Sequence, residues 1–352
     1  MIPIKHNRVS LNQVEKEACL RVLEKGIWSQ NTEVINLEDR LQKRTGQNHV
    51  LAVNNGLNAI IIALKTLGIG MGDKVMIPAY SCVALANAVL ACGAKYICVD
   101  VEKETGNIDY GDATLKFTKR VKAIIVVNLF GIPANFGKFA LFGVPLIEDC
   151  AHGFGLSLNQ GIMGSQSEIS IFSFYSTKFI GFGEGGAIGF RNKDQYKRAL
   201  DMRDYTDKVP SAIRMNYKMT DIIAVVLKNK LDFLDDTISK RKSIAAFYRD
   251  FLDKKNLGFA MDLCPNMNSR IWYRFVIKLK SKTMNSFIKE MKISGVEVAK
   301  PVEDWRSREE KKTAPNASDL YQMNVSLPIY PDLNNSDQKK VIDSIIKIKS
   351  FE

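Results

Sequence analysis

Histidine is scarce in this chain: His6, His49 and His152 are the only three. The six cysteines, Cys19, Cys82, Cys92, Cys98, Cys150 and Cys264, form no CxxC pair. So few imidazoles and such unpaired thiols argue against a zinc centre. Cysteines scattered among small or apolar neighbours read as reduced, buried thiols rather than a disulfide frame. Long apolar runs are missing too. Apolar runs such as Ala123 to Val127 are strand-length, far below the ~20 residues of a membrane-spanning helix. The first residues, MIPIKHNRVSLNQVEKE, lack the continuous apolar stretch of a secretory signal, so a cytoplasmic location is expected. Basic residues are plentiful but dispersed. Fifty Lys and Arg against 38 Asp and Glu give a net charge of +12, with no basic arm, finger, helix-turn-helix or RNA-binding signature. That charge reads as a solvated surface or as attraction for a phosphorylated small substrate, nucleic acid being the more distant alternative.

What is present is ordinary globular composition: 352 residues, 46% hydrophobic and 25% charged, enough for roughly two domains. Leu11 to Leu41 has helical periodicity interrupted at Gly26 to Asn31. Short apolar runs then alternate with helical patterns. Strands are expected at Val50 to Val53, Lys74 to Pro78, Lys95 to Val101, Val121 to Phe130, Pro145 to Asp149, Ser170 to Phe174 and Ala187 to Phe190. Helices are expected at Leu57 to Leu67 and Cys82 to Cys92. Continuous apolar strands separated by helices predict an α/β fold with a mostly parallel central sheet covered on both faces. Asp221 to Leu252 reads as two helices or one kinked helix ending at Gly258. A smaller α+β unit follows: a strand-like stretch from Arg270 to Leu279, a helix over Met284 to Ile293, a strand at Val296 to Ala299, a charged loop from Ser307 to Ser318, and a terminal helix over Ser336 to Ile348. The division falls near residue 235, giving a large domain over 1–235 and a small one over 236–352.

Ligands of parallel sheets collect beyond the carboxyl ends of the strands. Asp149 ends one strand. Lys178 follows another, Ser170 to Phe174, in a turn that runs into Gly181, Gly183, Gly185 and Gly186. Asn55-Gly56 opens a helix after a strand, which leaves N–H groups for an anion or is an ordinary N-cap. No GxxxxGK[ST] or strand-GxGxxG-helix nucleotide motif occurs. A lysine in a glycine-rich turn near a strand-end aspartate suggests Schiff-base chemistry, in which the carboxylate faces a pyridinium nitrogen and a helix N-terminus holds a phosphate. The bland alternatives are a surface turn lysine and a helix cap.

The segments IEDCAHGFG (147–155) and SFYSTKFIGFGEGGAIGF (173–190) resemble the DegT/StrS-type sugar aminotransferases, fold type I pyridoxal phosphate enzymes. NNGLNAIIIAL (54–64), GDKVMIPAYSCVALANAVLACGA (72–94), VVNLFGIPAN (126–135) and MNYKMTDIIAVV (215–226) extend the resemblance over nearly the whole chain. It implies that pyridoxal 5'-phosphate is held by Lys178, which also shuttles the proton, that Asp149 meets the ring nitrogen, and that His152 lies on the ring-hydroxyl side. It implies that Ser173 and the backbone of Gly56 and Leu57 take the phosphate. Asn216 would reach the phosphate of a partner subunit, so a homodimer with shared active sites is expected. Two departures stand out. Leu57 replaces the usual Thr and offers only its N–H, and Cys82 stands where an aromatic ring often covers the cofactor. Tyr80 is nearby to compensate, unless strand alternation turns it away. Arg270 to Arg274 lies where relatives often carry a His. The implied reaction moves an amine from L-glutamate to a keto sugar, expected to be nucleotide-linked, for bacterial surface polysaccharide or amino-sugar synthesis. A deoxysugar dehydratase of the same fold is the nearest alternative, argued against by Lys178, since such relatives carry His there. A non-enzymatic regulatory or nucleic-acid-binding protein is the alternative from another class.

Overall fold

The computed structural model describes residues 3–158, 161–206, 208–209, 212–255, 260–262, 270–279 and 284–348. Two helices come first, α1 (Gln13–Lys25) and α2 (Thr32–Thr45). A capping box of Asn12 and Glu15 starts α1, and Gly26 in the left-handed region (φ +70°) stops it. The first turn of α2 is held from afar: the Asp221 carboxylate accepts from the N–H groups of Asn31, Glu33 and Val34 at 2.7, 3.1 and 3.2 Å.

The alternating region follows as β1 (His49–Val53), α3 (Gly56–Thr66), β2 (Lys74–Pro78), α4 (Ala84–Ala91), β3 (Lys95–Val99), α5 (Tyr110–Lys116), β4 (Val121–Val127), α6 (Phe136–Ala140) and β5 (Leu146–Asp149). A small hairpin, β6 (Ser157–Leu158) and β7 (Gly161–Ile162), leads to β8 (Ile169–Ser173), β9 (Gly186–Phe190) and α7 (Lys193–Arg203). The central sheet has seven strands in the order β1-β9-β8-β5-β4-β2-β3. Pairing is parallel from β8 to β3 and antiparallel only around β9. Because β9 runs against both neighbours, β1 and β8 point the same way. The carboxyl ends of β1, β8, β5, β4 and β2 therefore open on one edge. Strand-face residues such as Val75, Ile125 and Ile171 are buried against the covering helices in one large apolar cluster.

The rest of the chain supplies α8 (Asp221–Asp232), α9 (Leu234–Lys255), β10 (Ala260–Asp262), β11 (Phe275–Leu279), α10 (Met284–Ile293), α11 (Arg308–Thr313), α12 (Pro315–Met323), β12 (Asn324–Leu327) and α13 (Asn335–Lys347). An antiparallel sheet β10-β11-β12 joins α9, α10 and α13 around a second apolar cluster that includes Tyr248, Phe275 and Phe287. Ile4, from the far end of the chain, packs in this second cluster and bridges Val296.

Several boundaries differ from the sequence reading. β4 ends at Val127 rather than Phe130, because Asn128 leads into a tight turn with φ of +53° at Phe130 and +86° at Gly131. Ser307 to Ser318 is not a loop. Ser307 and Glu310 form a capping box and α11 runs from it, with α12 next. The strand expected at Val296 to Ala299 is reduced to single bridges, Ile4 with Val296 and Ala299 with Ser326. Only Phe275–Leu279 of the Arg270 to Leu279 stretch is strand. Gly258 and Cys264 lie outside the described residues. No described helix is long and apolar enough to cross a membrane.

Candidate active site

The edge onto which the parallel strands open holds a cavity of about 370 Å³. Gly56, Leu57 and Ser173 line it, as do Cys82, Asp149, His152 and Lys178. Local structure explains each position. The Asn55 side chain caps α3 by accepting from Asn58 N–H at 2.8 Å, which leaves the Gly56 and Leu57 N–H groups of the first turn for another acceptor. Ser173 closes β8 opposite that turn. A Cβ on Gly56 would meet the Ser173 Cβ at 3.1 Å and its Oγ at 3.3 Å, so glycine is what lets helix and strand end approach. Tyr175 N–H donates to Ser173 Oγ at 3.5 Å, and the hydroxyl proton remains for a ligand oxygen. Two N–H groups and a hydroxyl at a helix N-terminus form an anion cradle.

At the end of β5, Asp149 Oδ1 accepts from Ala151 N–H at 2.8 Å and the carboxyl is 8% exposed. Burial pushes its pKa up, against the opposing pull of the Ala151 N–H and the Lys178 charge. A protonated ring nitrogen placed against it would add a second opposing cation. His152 is held neutral: burial, then the charges of Lys178 and Arg274, push it well below the usual imidazole range. Its Nδ1 accepts from Phe130 N–H at 3.3 Å, so its proton is on Nε2, available as a donor. The imidazole lies between Phe130, at 5.8 Å and 15°, and Tyr273, at 4.3 Å and 17°.

Tyr273 was not singled out by sequence reasoning, and no periodicity marks it. It meets Lys178 only because the chain folds back: Lys178 Nζ lies 4.6 Å from its ring centroid, and its hydroxyl bonds Thr177 Oγ1 at 3.3 Å across 96 positions. Burial raises a phenol, but here Lys178 and Arg274 outweigh it and bring Tyr273 down to about 8.

Cys82 is exposed at the cavity wall, while Tyr80 is 1% exposed and turned into the core against Phe130 and Tyr321. Tyr80 therefore does not stand in for the missing aromatic cover. Asn216 is exposed and does not line the cavity; its neighbour Tyr217 accepts through its carbonyl from Asn54 N–H at 2.9 Å, next to the cradle. A second cavity of about 220 Å³ shares Ser176, Thr177 and Lys178 and is bordered by Arg8, Lys230 and Arg241. Among the described residues no group of three or more His, Cys, Asp or Glu side chains is arranged to hold a metal.

The residues present fit pyridoxal phosphate. An anion cradle stands at one part of the cavity wall and a buried carboxyl, an imidazole N–H and a lysine amine at others, in a volume within the usual range for small ligands.

Residues 9–346 match the DegT/DnrJ/EryC1/StrS aminotransferase family. A UDP-2-acetamido-2-deoxy-3-oxo-D-glucuronate aminotransferase of Pseudomonas aeruginosa is 30% identical, over 96% of this chain and 97% of its own length. A GDP-perosamine synthase of Escherichia coli O157:H7 is 29% identical over 96% of each. The crystal structure of DesV from S. venezuelae, in complex with a ketimine intermediate, superposes with a TM-score of 0.86 at 26% identity, covering 94% of this chain and 93% of that one.

Proposed function

The chain belongs to the DegT/DnrJ/EryC1/StrS aminotransferase family, whose enzymes depend on pyridoxal phosphate, and we propose that it moves an amine from L-glutamate to a keto sugar carried on a nucleotide. The observation that carries this reading is the convergence of Lys178, Asp149, His152 and the Gly56-Leu57-Ser173 cradle on one cavity. Relatives named for GDP-, UDP- and dTDP-linked sugars favour a nucleotide-linked acceptor. The second cavity at Lys178 supports an anionic substrate as well. Its Lys230 is paired with Glu15 and its Lys240 with Asp236, so Arg8, Lys178 and Arg241 leave positive charge in excess of the one further acid, Asp332.

When bound, the cofactor supplies an electron sink for the carbon that gains or loses the amine. The protein's own groups do the rest. Lys178 would take the proton from the carbon that loses the amine and deliver it to the carbon that gains it. Asp149 keeps the proton on the ring nitrogen by opposing its charge. His152 donates Nε2–H on the ring-hydroxyl side. The N–H groups of Gly56 and Leu57 and the hydroxyl of Ser173 hold the phosphate, while Cys82, Leu85 and Leu129 line the cavity and limit water.

Dimerisation belongs to the same reading. Exposed Tyr205 (57%), Ile213 (75%) and Met215 (40%) flank the stretch that carries Asn216, apolar surface that a second copy would cover while Asn216 reaches its partner's phosphate. A two-domain division near residue 235 and a cytoplasmic place of action complete it. The test is turnover of a panel of keto sugars, nucleotide-linked and free, with glutamate as donor. Amination of a nucleotide-linked member is expected. Failure of every keto sugar, with Lys178→Ala indistinguishable from the parent in the glutamate half-reaction, would overturn the reading.

A further inference from the structure

We propose that the Tyr273 hydroxyl is the proton partner of Lys178: it accepts the proton of the lysine ammonium, leaving the neutral amine that does the chemistry, and gives that proton back. The proposal rests on the aminotransferase reading and adds a catalytic residue to it. The exchange is balanced. One proton passes from Lys178 Nζ to Tyr273 Oη, a charged ammonium and phenolate become a neutral amine and phenol, and no other bond changes.

The geometry is particular to this chain. The phenol lies within the stretch, Arg270 to Arg274, where the resemblance leads one to expect an imidazole, another group that accepts a proton. Tyr273 is buried, with 5% exposure, and has few alternative positions. Its ring is stacked on His152, and Arg241 Nη1 donates to its carbonyl at 2.9 Å. Thr177, one residue before Lys178, bonds its hydroxyl. With the backbone held by Arg241, the ring cannot turn away from the amine without losing the stack and the Thr177 bond together. The cations that face it favour the phenolate, and the imidazoles around it are neutral. Lys178 faces it at 4.6 Å and the Arg274 guanidinium at 5.4 Å from the ring centroid. Arg241 holds its backbone, and His152 is neutral. Beyond Arg274, His6 is neutral as well and accepts from that guanidinium at 3.3 Å. The acidic groups lining the same cavity are Asp149, whose burial weakens its charge, and Glu184. A neutral amine is the reactive form of a lysine, and an adjacent base is one of the ways proteins supply it.

A phenol so placed should titrate near pH 8, where burial drives Tyr80, Tyr248 and Tyr321 the other way and takes Tyr96 up to about 12. The variant Tyr273→Phe keeps the ring against His152 and removes only the hydroxyl. Three measurements on the cofactor-bound enzyme test the idea, the first of them in the pyridoxamine form, where the Lys178 amine is free. The tyrosinate absorbance of the parent minus that of Tyr273→Phe should show one phenol ionising near pH 8. In single turnovers with glutamate, the rising limb of the parent's pH–rate profile should move to higher pH in Tyr273→Phe. The maximal rate should fall at least ~10-fold and the donor KM stay within ~2-fold, the pattern of a lost proton-transfer partner rather than a lost binding contact. Tyr273→His, which restores a proton acceptor with a pKa near ~6.5, should recover part of the rate with the limb moved toward acid. An unchanged limb in Tyr273→Phe would overturn the proposal, as would a difference spectrum without an early phenol. Either result leaves the aminotransferase reading standing, since that falls only with Lys178→Ala and the keto-sugar panel.

Discussion

Gly186 opens β9 between Val53 of β1 and Ser173 of β8, paired on both sides. A methyl group there would stand 2.5 Å from the carbonyl carbon and oxygen of Asn55 and 2.8 Å from the nitrogen of Gly56. Comfortable contact between such atoms is ~3.5–4 Å, so one side must retreat by about 1 Å. The strand is fixed by two ladders, and the Asn55-Gly56 turn is the softer side. Gly186→Ala therefore acts on the anion cradle from behind, without touching a ligand. Overpacking of this kind costs ~1–3 kcal/mol. Expressed wholly in cofactor binding, at tenfold per ~1.4 kcal/mol, that is a ~5- to 150-fold weaker dissociation constant. The assay is titration of apoprotein with pyridoxal phosphate, followed by the visible band, alongside thermal unfolding. Gly189→Ala is the control. Three positions along the same strand, its methyl would press on the side chains of Ser170 and Gln47, far from the cradle. It should lower the melting temperature and leave cofactor affinity within ~2-fold, well short of tenfold. A Gly186→Ala protein that binds the cofactor as tightly as the parent would refute the reasoning, and so would equal weakening in the control.

Lys178→Ala should abolish transamination, a loss beyond the ~10²–10⁴ of acid–base catalysis, with folding unchanged by circular dichroism. Asp149→Asn preserves the acceptor for Ala151 N–H and removes the charge, so the cofactor should stay bound while the glutamate half-reaction slows by at least ~10²-fold in rapid mixing; parental rates would reduce Asp149 to a cap. Burial first, then Arg274 and Arg241, lower His6 to about 3. Between that value and ~6.5 the unfolded chain binds a proton that the native one does not, so stability is full above the unfolded pKa and declines as pH falls. His6→Gln should therefore lose up to about 2 kcal/mol less than the parent between about pH 7 and about pH 5 in urea unfolding. Comparing the two proteins cancels the buried Glu148 and Asp149, whose raised pKa values act in the opposite sense. Identical losses would show that the imidazole is not kept neutral by the fold.

The central sheet was legible because its strands are apolar throughout and end in punctuation: Asn54-Asn55-Gly56 after β1, Asp149 after β5, the glycine-rich turn before β9. Those ends are also where the cavity lies, so Lys178, Asp149, Ser173 and Gly56 were readable together. The charged α11 was read as a loop because it buries no side chain and so has no apolar stripe; the Ser307 to Glu310 capping box was its only local sign. Tyr80 is decided by packing against Asn324, Phe130 and Tyr321, none of them near it in sequence. Tyr273 is the same kind of case, placed by Arg241 and Thr177 from two other elements.

The turn after β4 has a consequence for motion. Gly131, at φ +86°, lies so close to Ile271 that any side chain there would strike the Ile271 carbonyl, and Ile271 N–H donates to the Gly131 carbonyl at 3.1 Å. Ile271 is thus riveted to the edge of the large sheet, while four residues later Phe275 begins a strand that pairs with β12. A hinge between the two sheets has no room before Ile271. At this crossing of the chain, such a hinge would fall in the short span from Trp272 to Arg274. A tilt of the C-terminal sheet would then twist the stretch that bears the phenol facing Lys178, so that the spacing between phenol and amine would register how the two sheets stand to one another.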